Sequence, residues 1–245
     1  MRRIVKPLII ALLWLGIWEA LHLIVGLEVL LPSPAATIRQ LIALCGEFAF
    51  WQSIVFSMGR VLLGLCLGIF VGIIMAIITS AYSLAQAFFT PLLSVIKSTP
   101  VASFIVLALV WLNKGIVPVF TSFLIVLPIV WGNVQQGIKN TDHSLLEMAD
   151  AFGMNFSGKI KHIFIQSIWP YFTVSATMSI GMAWKAGIAA EVIATPLYSI
   201  GKGIYNSKIY LNTTELFAWT IAIIVLSLIL EKMVSHLLTR KAVGA

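Results

Sequence analysis

The run Gly153-Met154-Asn155-Phe156-Ser157-Gly158-Lys159 has the glycine and lysine spacing of a phosphate-binding loop. Such a loop needs a Ser or Thr after the lysine to hold magnesium, and a buried strand ahead of it. Here Ile160 follows Lys159 and no strand-like run precedes Gly153, so ATP and magnesium are not expected on this chain. His143 and Glu147 stand one helical turn apart, but no third ligand converges on them. Solvated helix residues are the expectation there. Glu19 and His22, also one turn apart, are expected to pair inside a bundle or to lie near its outer end. Cys45 and Cys66 give neither a disulfide framework nor a metal-ligand spacing. No set of nucleophile, base and oxyanion donor emerges. The chain reads as a non-catalytic protein without a cofactor or metal of its own.

Charges inside apolar segments are costly and point to function by default. Arg60, Lys97, Lys185 and Glu191 are of this kind. Lys185 and Glu191 are six residues apart, roughly 120° around a helix, and so are not natural partners of each other. Lys185 could draw an anionic substrate along a pathway, with Arg60 and Glu191 as further pathway candidates. The alternative for Lys185 is a buried cation paired with a carbonyl or carboxylate on another helix.

The solvent that these residues require follows from composition. Of 245 residues, 60% are hydrophobic and 10% are charged, and the mean hydropathy is +1.02. A soluble domain carries about 25% charged residues, so in water this chain would expose aggregation-prone apolar surface. Only a bilayer suits it. The net charge of +7 does not form a basic face with interleaved aromatics, which excludes nucleic acid as the partner. The cations flank the apolar runs instead.

A spanning helix needs about 20 mostly apolar residues. Candidates lie at about 8–27, 53–79, 84–112, 116–138, 162–190 and 214–237. This predicts an all-α polytopic bundle of about six transmembrane helices, a single domain over 1–245. None of the runs alternates as a barrel strand would. Pro100 is expected to break or kink the third. The first run follows Arg2, Arg3 and Lys6 and has no small-residue cleavage site, so it reads as a retained signal anchor. With the N-terminus inside, Arg2, Arg3, Lys6, Lys139, Lys159, Lys161, Arg240 and Lys241 lie on the cytoplasmic side. Arg39, Lys114, Lys202 and Lys208 lie outside. Eight cations against four place both termini in the cytoplasm. Gly64, Gly68 and Gly72 form a stripe for close helix packing, either within a subunit or across a dimer.

The stretch between the fourth and fifth runs, about 139–161, is the most informative. Thr141 or Asp142 can cap a helix, and Ser144 with Glu147 has the spacing of a capping box one turn later. Leu145, Met148, Ala149 and Phe152 then share one face, and Gly153 suits a left-handed helix end. The opposite side bears Asp142, Glu147 and Asp150, which anionic lipid would repel. A protein groove is the better seat for such an amphipathic helix.

Glu147-Met148-Ala149, then three residues, then Gly153, with Ile163 ten residues further on, resembles the EAA motif of importer permeases of the ATP-binding-cassette class. Two positions depart from it: Met148 replaces the first alanine and Gln166 stands where the motif has proline. Trp169-Pro170-Tyr171 resembles the nitrate, sulfonate, taurine and bicarbonate branch. So do Leu31-Pro32-Ser33-Pro34, Ser57-Met58-Gly59-Arg60, Thr99-Pro100-Val101-Ala102, Trp111-Leu112 and Ala190-Glu191-Val192-Ile193-Ala194. The resemblance runs from about residue 30 to 235.

It implies a type I permease subunit in a bacterial-type inner membrane. Its partners would be two ATPase subunits that bind ATP and magnesium, a second permease copy or a paralogue, and an external substrate-binding protein. Leu145, Glu147, Met148, Ala149, Phe152 and Gly153 would then be the ATPase-coupling residues. The solute would be a small anion such as a sulfonate, nitrate or bicarbonate, with thiamine precursors and related heterocycles also handled by the branch. An ion-coupled secondary transporter is the competing reading, and it would show broken helices at a repeated midplane site. Pro100 is the only such break in view, and no internal repeat accompanies it.

Overall fold

The structure is a computed structural model that describes residues 2–242. Arg2, Arg3, Arg240 and Lys241, which enter the orientation count, have side chains outside the described residues. Every regular element described is helical: α1 (Arg2–Val25), α2 (Pro34–Cys45), α3 (Phe48–Ala81), α4 (Ser83–Ser98), α5 (Val101–Trp111), α6 (Val117–Lys139) and α7 (His143–Ala151) come first. After them, α8 (Phe156–Lys159) runs through a π-helical turn (Ile160–Phe164) into α9 (Ile165–Ala194), and α10 (Ile200–Ile209) and α11 (Thr213–Ala242) complete the chain.

By length and composition, α3, α6 and α11 can each cross a membrane, and α4 with α5 passes the same test only as a pair, a broken span or a re-entrant loop. That pair bends by 104° at its break, where Pro100 begins α5. The third apolar run is therefore two helices rather than one, broken at the expected proline. The expected six spans also need α1 and α9. α1 is a shorter apolar helix from Ile9 to Val25. α9 has 30 residues, ample to cross, but it is too rich in small and polar residues to pass as a lipid-facing span. Burial explains this. Ser175, Ser179, Gly181, Gly187 and Glu191 all face protein, because α9 packs against α3, α5, α6, α10 and α11.

The glycine stripe of α3 belongs inside the subunit. A Cβ on Gly64 would stand 2.4 Å from the Val119 carbonyl oxygen, and one on Gly68 would stand 2.6 Å from Val126 Cβ. One on Gly72 would stand 3.0 Å from Val130 Cβ. The α3 and α6 backbones thus meet at the distance that small residues permit. Hydrogen bonds close the far end, where Trp131 Nε1 and Gln135 Nε2 donate to Thr79 Oγ1 at 2.9 and 3.0 Å. On the other side of α6, Ser122 Oγ donates to the Ala183 carbonyl at 3.1 Å. Overpacking such a seam costs about 1–3 kcal/mol. Gly64→Ala, whose new methyl meets backbone rather than a movable side chain, should lower the thermal midpoint of the detergent-solubilised chain by several degrees; Gly59→Ala, with open space at its Cβ position, should not.

Two helices had no counterpart in the apolar pattern, because both are too short to span. α2 starts on Ser33, whose Oγ accepts from the Ala36 amide at 3.1 Å, with Pro34 as its first residue. α10 starts on Ser199, whose Oγ accepts from the Lys202 amide at 3.0 Å. Glu19 and His22 do not pair. His22 Nδ1 donates to the Leu31 carbonyl at 2.7 Å, beside Trp18 Nε1 on the Pro32 carbonyl at 3.0 Å. Glu19 is exposed.

Candidate functional site

α7 sits at one end of the bundle, between the last turn of α6 and the start of α8. Asp142 is its cap, accepting from the Ser144 amide at 2.9 Å. The Ser144–Glu147 box does not form, because Asp142 caps the helix two residues before Ser144. Glu147 instead meets His143 Nδ1 at 3.3 Å, and both side chains are well exposed. The helix ends as the glycine implies. Gly153 has φ +65°, its amide donates to the Asp150 carbonyl, and the Met154 amide donates to Ala149 at 2.8 Å. This pair of bonds is a Schellman ending.

The expected face divides into two. Ala149 is buried at 2% exposure, whereas Leu145, Met148 and Phe152 are 41%, 52% and 82% exposed. One side of α7 therefore rests on its own chain and the other presents a free apolar stripe. Phe156, 74% exposed, lies just past the turn. In sequence it belongs to the phosphate-loop look-alike, and a phenylalanine soon after a helix-ending glycine is the signal for it. Lys159, the lysine of that look-alike, is ion-paired with Asp150. Asn155 caps α8, accepting from the Gly158 amide at 2.8 Å. The segment after α7 is thus held as a rigid turn.

The end of α6 that leads into α7 is tied to α9. Asn140 Nδ2 donates to the Tyr171 hydroxyl at 2.8 Å, and a Cβ on Gly137 would stand 3.1 Å from Ile168 Cα. Gln166 leaves the run from Phe156 to Ala194 helical throughout, with the π turn Ile160–Phe164 just ahead of it.

The charged residues inside the membrane segments separate into two groups. Arg60 and Glu191 come together, although 131 positions apart in sequence. Arg60 Nη1 donates to Glu191 Oε1 at 3.0 Å. Ser57 Oγ and the Gly201 amide donate to Glu191 Oε2 at 2.7 and 3.2 Å. Arg60 also donates to the Leu197 and Tyr198 carbonyls at 2.8 and 3.1 Å. The cluster ties α3 to the turn between α9 and α10, where Thr195 and Tyr198 hold positive φ. Lys185 is elsewhere. It is exposed, in an α9 stripe with Val174, Met178, Met182 and Ala189 that none of the described residues covers. Lys97 is also exposed, and its Nζ stands 3.8 Å from where a Cβ on Gly132 of α6 would be. Among the described residues no group of three or more His, Cys, Asp or Glu side chains converges as a metal site would require.

The model for the binding-protein-dependent transport system inner membrane component family matches residues 68–242. The chain belongs to that family. The putative aliphatic sulfonates transport permease protein SsuC of Bacillus subtilis is 25% identical over 96% of this chain and 86% of its own length. The bicarbonate transport system permease protein CmpB of Synechocystis is 25% identical over 77% of this chain and 67% of its own. A crystal structure of a bacterial ABC transporter involved in the import of alginate shares the fold. Its matching chain has a TM-score of 0.68 at 15% identity, covering 97% of this chain and 95% of that one. The protein is thus a multi-pass membrane permease of an ATP-driven importer, and ATP hydrolysis belongs to a separate ATPase. An ATPase and a substrate-binding protein are its partners. The ion-coupled secondary transporter is set aside.

Proposed function

We propose that α7 seats in a cleft of the ATPase through Leu145, Met148, Phe152 and Gly153, with Glu147 on its polar side. The observation that carries this is the exposed apolar stripe of α7, backed by acids that disfavour a lipid seat. We further propose that two copies of the permease work with two ATPase subunits, which supply ATP and magnesium, and that this chain binds neither. The eight cations Arg2, Arg3, Lys6, Lys139, Lys159, Lys161, Arg240 and Lys241 on the side of α7 and the termini, against Arg39, Lys114, Lys202 and Lys208 on the other, support a cytoplasmic α7 and cytoplasmic termini. ATPase closure then pulls α7, and α6 and α9 swing with it between two packings.

The solute is a small anion, such as a sulfonate, nitrate or bicarbonate. The named relatives carry solutes of this kind, and the exposure of Lys185 on the uncovered α9 stripe supports its meeting a second copy or a pathway. For Arg60 and Glu191, pathway candidates from sequence, a structural clasp is the better-supported role, because Nη1 and Nη2 of Arg60 and both Glu191 oxygens are bonded to protein. In proteoliposomes holding permease, ATPase and binding protein, Lys185→Ala should raise the half-saturating concentration of the anion on the order of tenfold, a loss of ~1.4 kcal/mol. Unchanged uptake kinetics would return Lys185 to a packing role.

A further inference from the structure

A groove of about 780 Å3 opens between α3, α6 and the run from α8 into α9, a size usual for sites that hold small molecules. Hydrocarbon and aromatic side chains make most of its walls, among them Ile77, Val134, Ile160, Phe164 and Phe172. Ile160 and Phe164 begin and end the π turn, a feature common at functional sites.

Two polar atoms interrupt this lining. Ser80 Oγ and Trp169 Nε1 are both shut off from solvent, and neither has a hydrogen-bond partner. Both residues line the groove. An indole N–H can only donate and a hydroxyl can donate, so the complementary occupant offers acceptor oxygens. The packing also places the two donors at one level. Thr79, beside Ser80, is bonded to Gln135 of α6, and Gly137 lies against Ile168, beside Trp169. Ile73 lies about two turns deeper in the bundle than Ser80, and Val134 and Phe172 lie within a turn of the donors; all three are apolar walls of the groove. Lys139 follows the lining residue Ile138, and Lys161 follows Ile160. Both lysines are exposed, and neither has an ion-pair partner among the described residues. Hydrocarbon walls deep, hydrogen-bond donors at mid-height and free cations at the rim form the reverse image of an anionic phospholipid.

We propose that this groove holds one acyl chain of an anionic phospholipid from the leaflet on the α7 side. On lipid entry the Ser80 hydroxyl and the Trp169 indole turn toward the groove and donate to its ester and phosphate oxygens, and Lys139 and Lys161 offset its charge. The site adjoins the α8–α9 run that moves with α7, so the bound lipid braces the part of the bundle through which coupling passes.

The test uses the full chain in nanodiscs of equal dioleoyl phosphatidylglycerol and dioleoyl phosphatidylcholine, released into the gas phase for native mass spectrometry. The wild-type chain should keep one phosphatidylglycerol, in about tenfold preference to phosphatidylcholine. Trp169→Phe should keep about tenfold less, the scale of one hydrogen bond to a charged acceptor. Ile77→Trp, which fills the groove, should keep none. Should that variant fail to accumulate, Ser80→Ala opens no space and reports on the same donors. Equal retention of the two lipids by wild type and Trp169→Phe would overturn the proposal. So would a photocrosslinker at position 77 that labels a second copy of the chain instead of lipid. ATPase retention is measured on the same variants. A lipid-free wild-type chain that still binds its ATPase refutes the lipid site alone.

Discussion

Phe152→Asp should leave the permease folded and membrane-inserted while weakening ATPase association by roughly a hundredfold, about 3 kcal/mol, the scale of an interface hot spot. The side chain is 82% exposed, so the free subunit loses nothing when it is replaced. In the docked state the same position would place a carboxylate in an apolar cleft, close to Asp150 and on the helix that carries Glu147. Gly153→Val should produce a similar loss by another route. Its φ of +65° is a region that β-branched residues adopt only under strain. The Schellman bonds to Asp150 and Ala149 would open, and the stripe would lose its fixed angle to α8. Binding of purified ATPase to the solubilised variants measures both. Unchanged affinity with Phe152→Asp would remove Phe152 from the interface.

Arg60→Ala should destabilise the permease itself. Glu191 has no exposed surface, and removing one partner of a buried pair costs about 3–5 kcal/mol, since the other charge stays buried and uncompensated. The same change frees the Leu197 and Tyr198 carbonyls. Tyr198, whose positive φ costs about 1–3 kcal/mol, then loses the contact that holds its carbonyl. Glu191→Gln should be milder, because an amide keeps an acceptor for Ser57 or Gly201. Replacing both by methionine should recover much of the loss, as buried pairs exchanged for apolar side chains often do. The thermal midpoint of the solubilised chain reads all three. Wild-type stability with lost transport in Arg60→Ala would restore these residues to the substrate pathway.

The layout of the bundle was legible because lipid demands long apolar runs, and proline marks the break between α4 and α5. The ends of α7 were legible too, since Asp142 and Gly153 act through local backbone bonds that spacing can reveal. The capping box was not, because Asp142 captures the Ser144 amide and starts the helix two residues early, and Glu147 turns to His143. The Arg60–Glu191 clasp joins residues that only the fold brings together. Each could be flagged singly as a costly charge, but its partner could not be chosen. The glycine stripe announced a close contact without naming α6 as the other side. α9 reads as an ordinary span in sequence, yet its serines and glycines mark a helix surrounded by protein. Ser80 and Trp169 gave no signal in sequence at all, since an unpaired donor exists only once its neighbours are placed.

A photoreactive residue at position 148 or 152, in transport-active permease co-expressed with its ATPase and binding protein, tests the role of α7 most directly. Crosslinking to the ATPase, lost when Phe152 is aspartate, is the predicted result. Adducts with lipid alone, in complexes that still import solute, would contradict it.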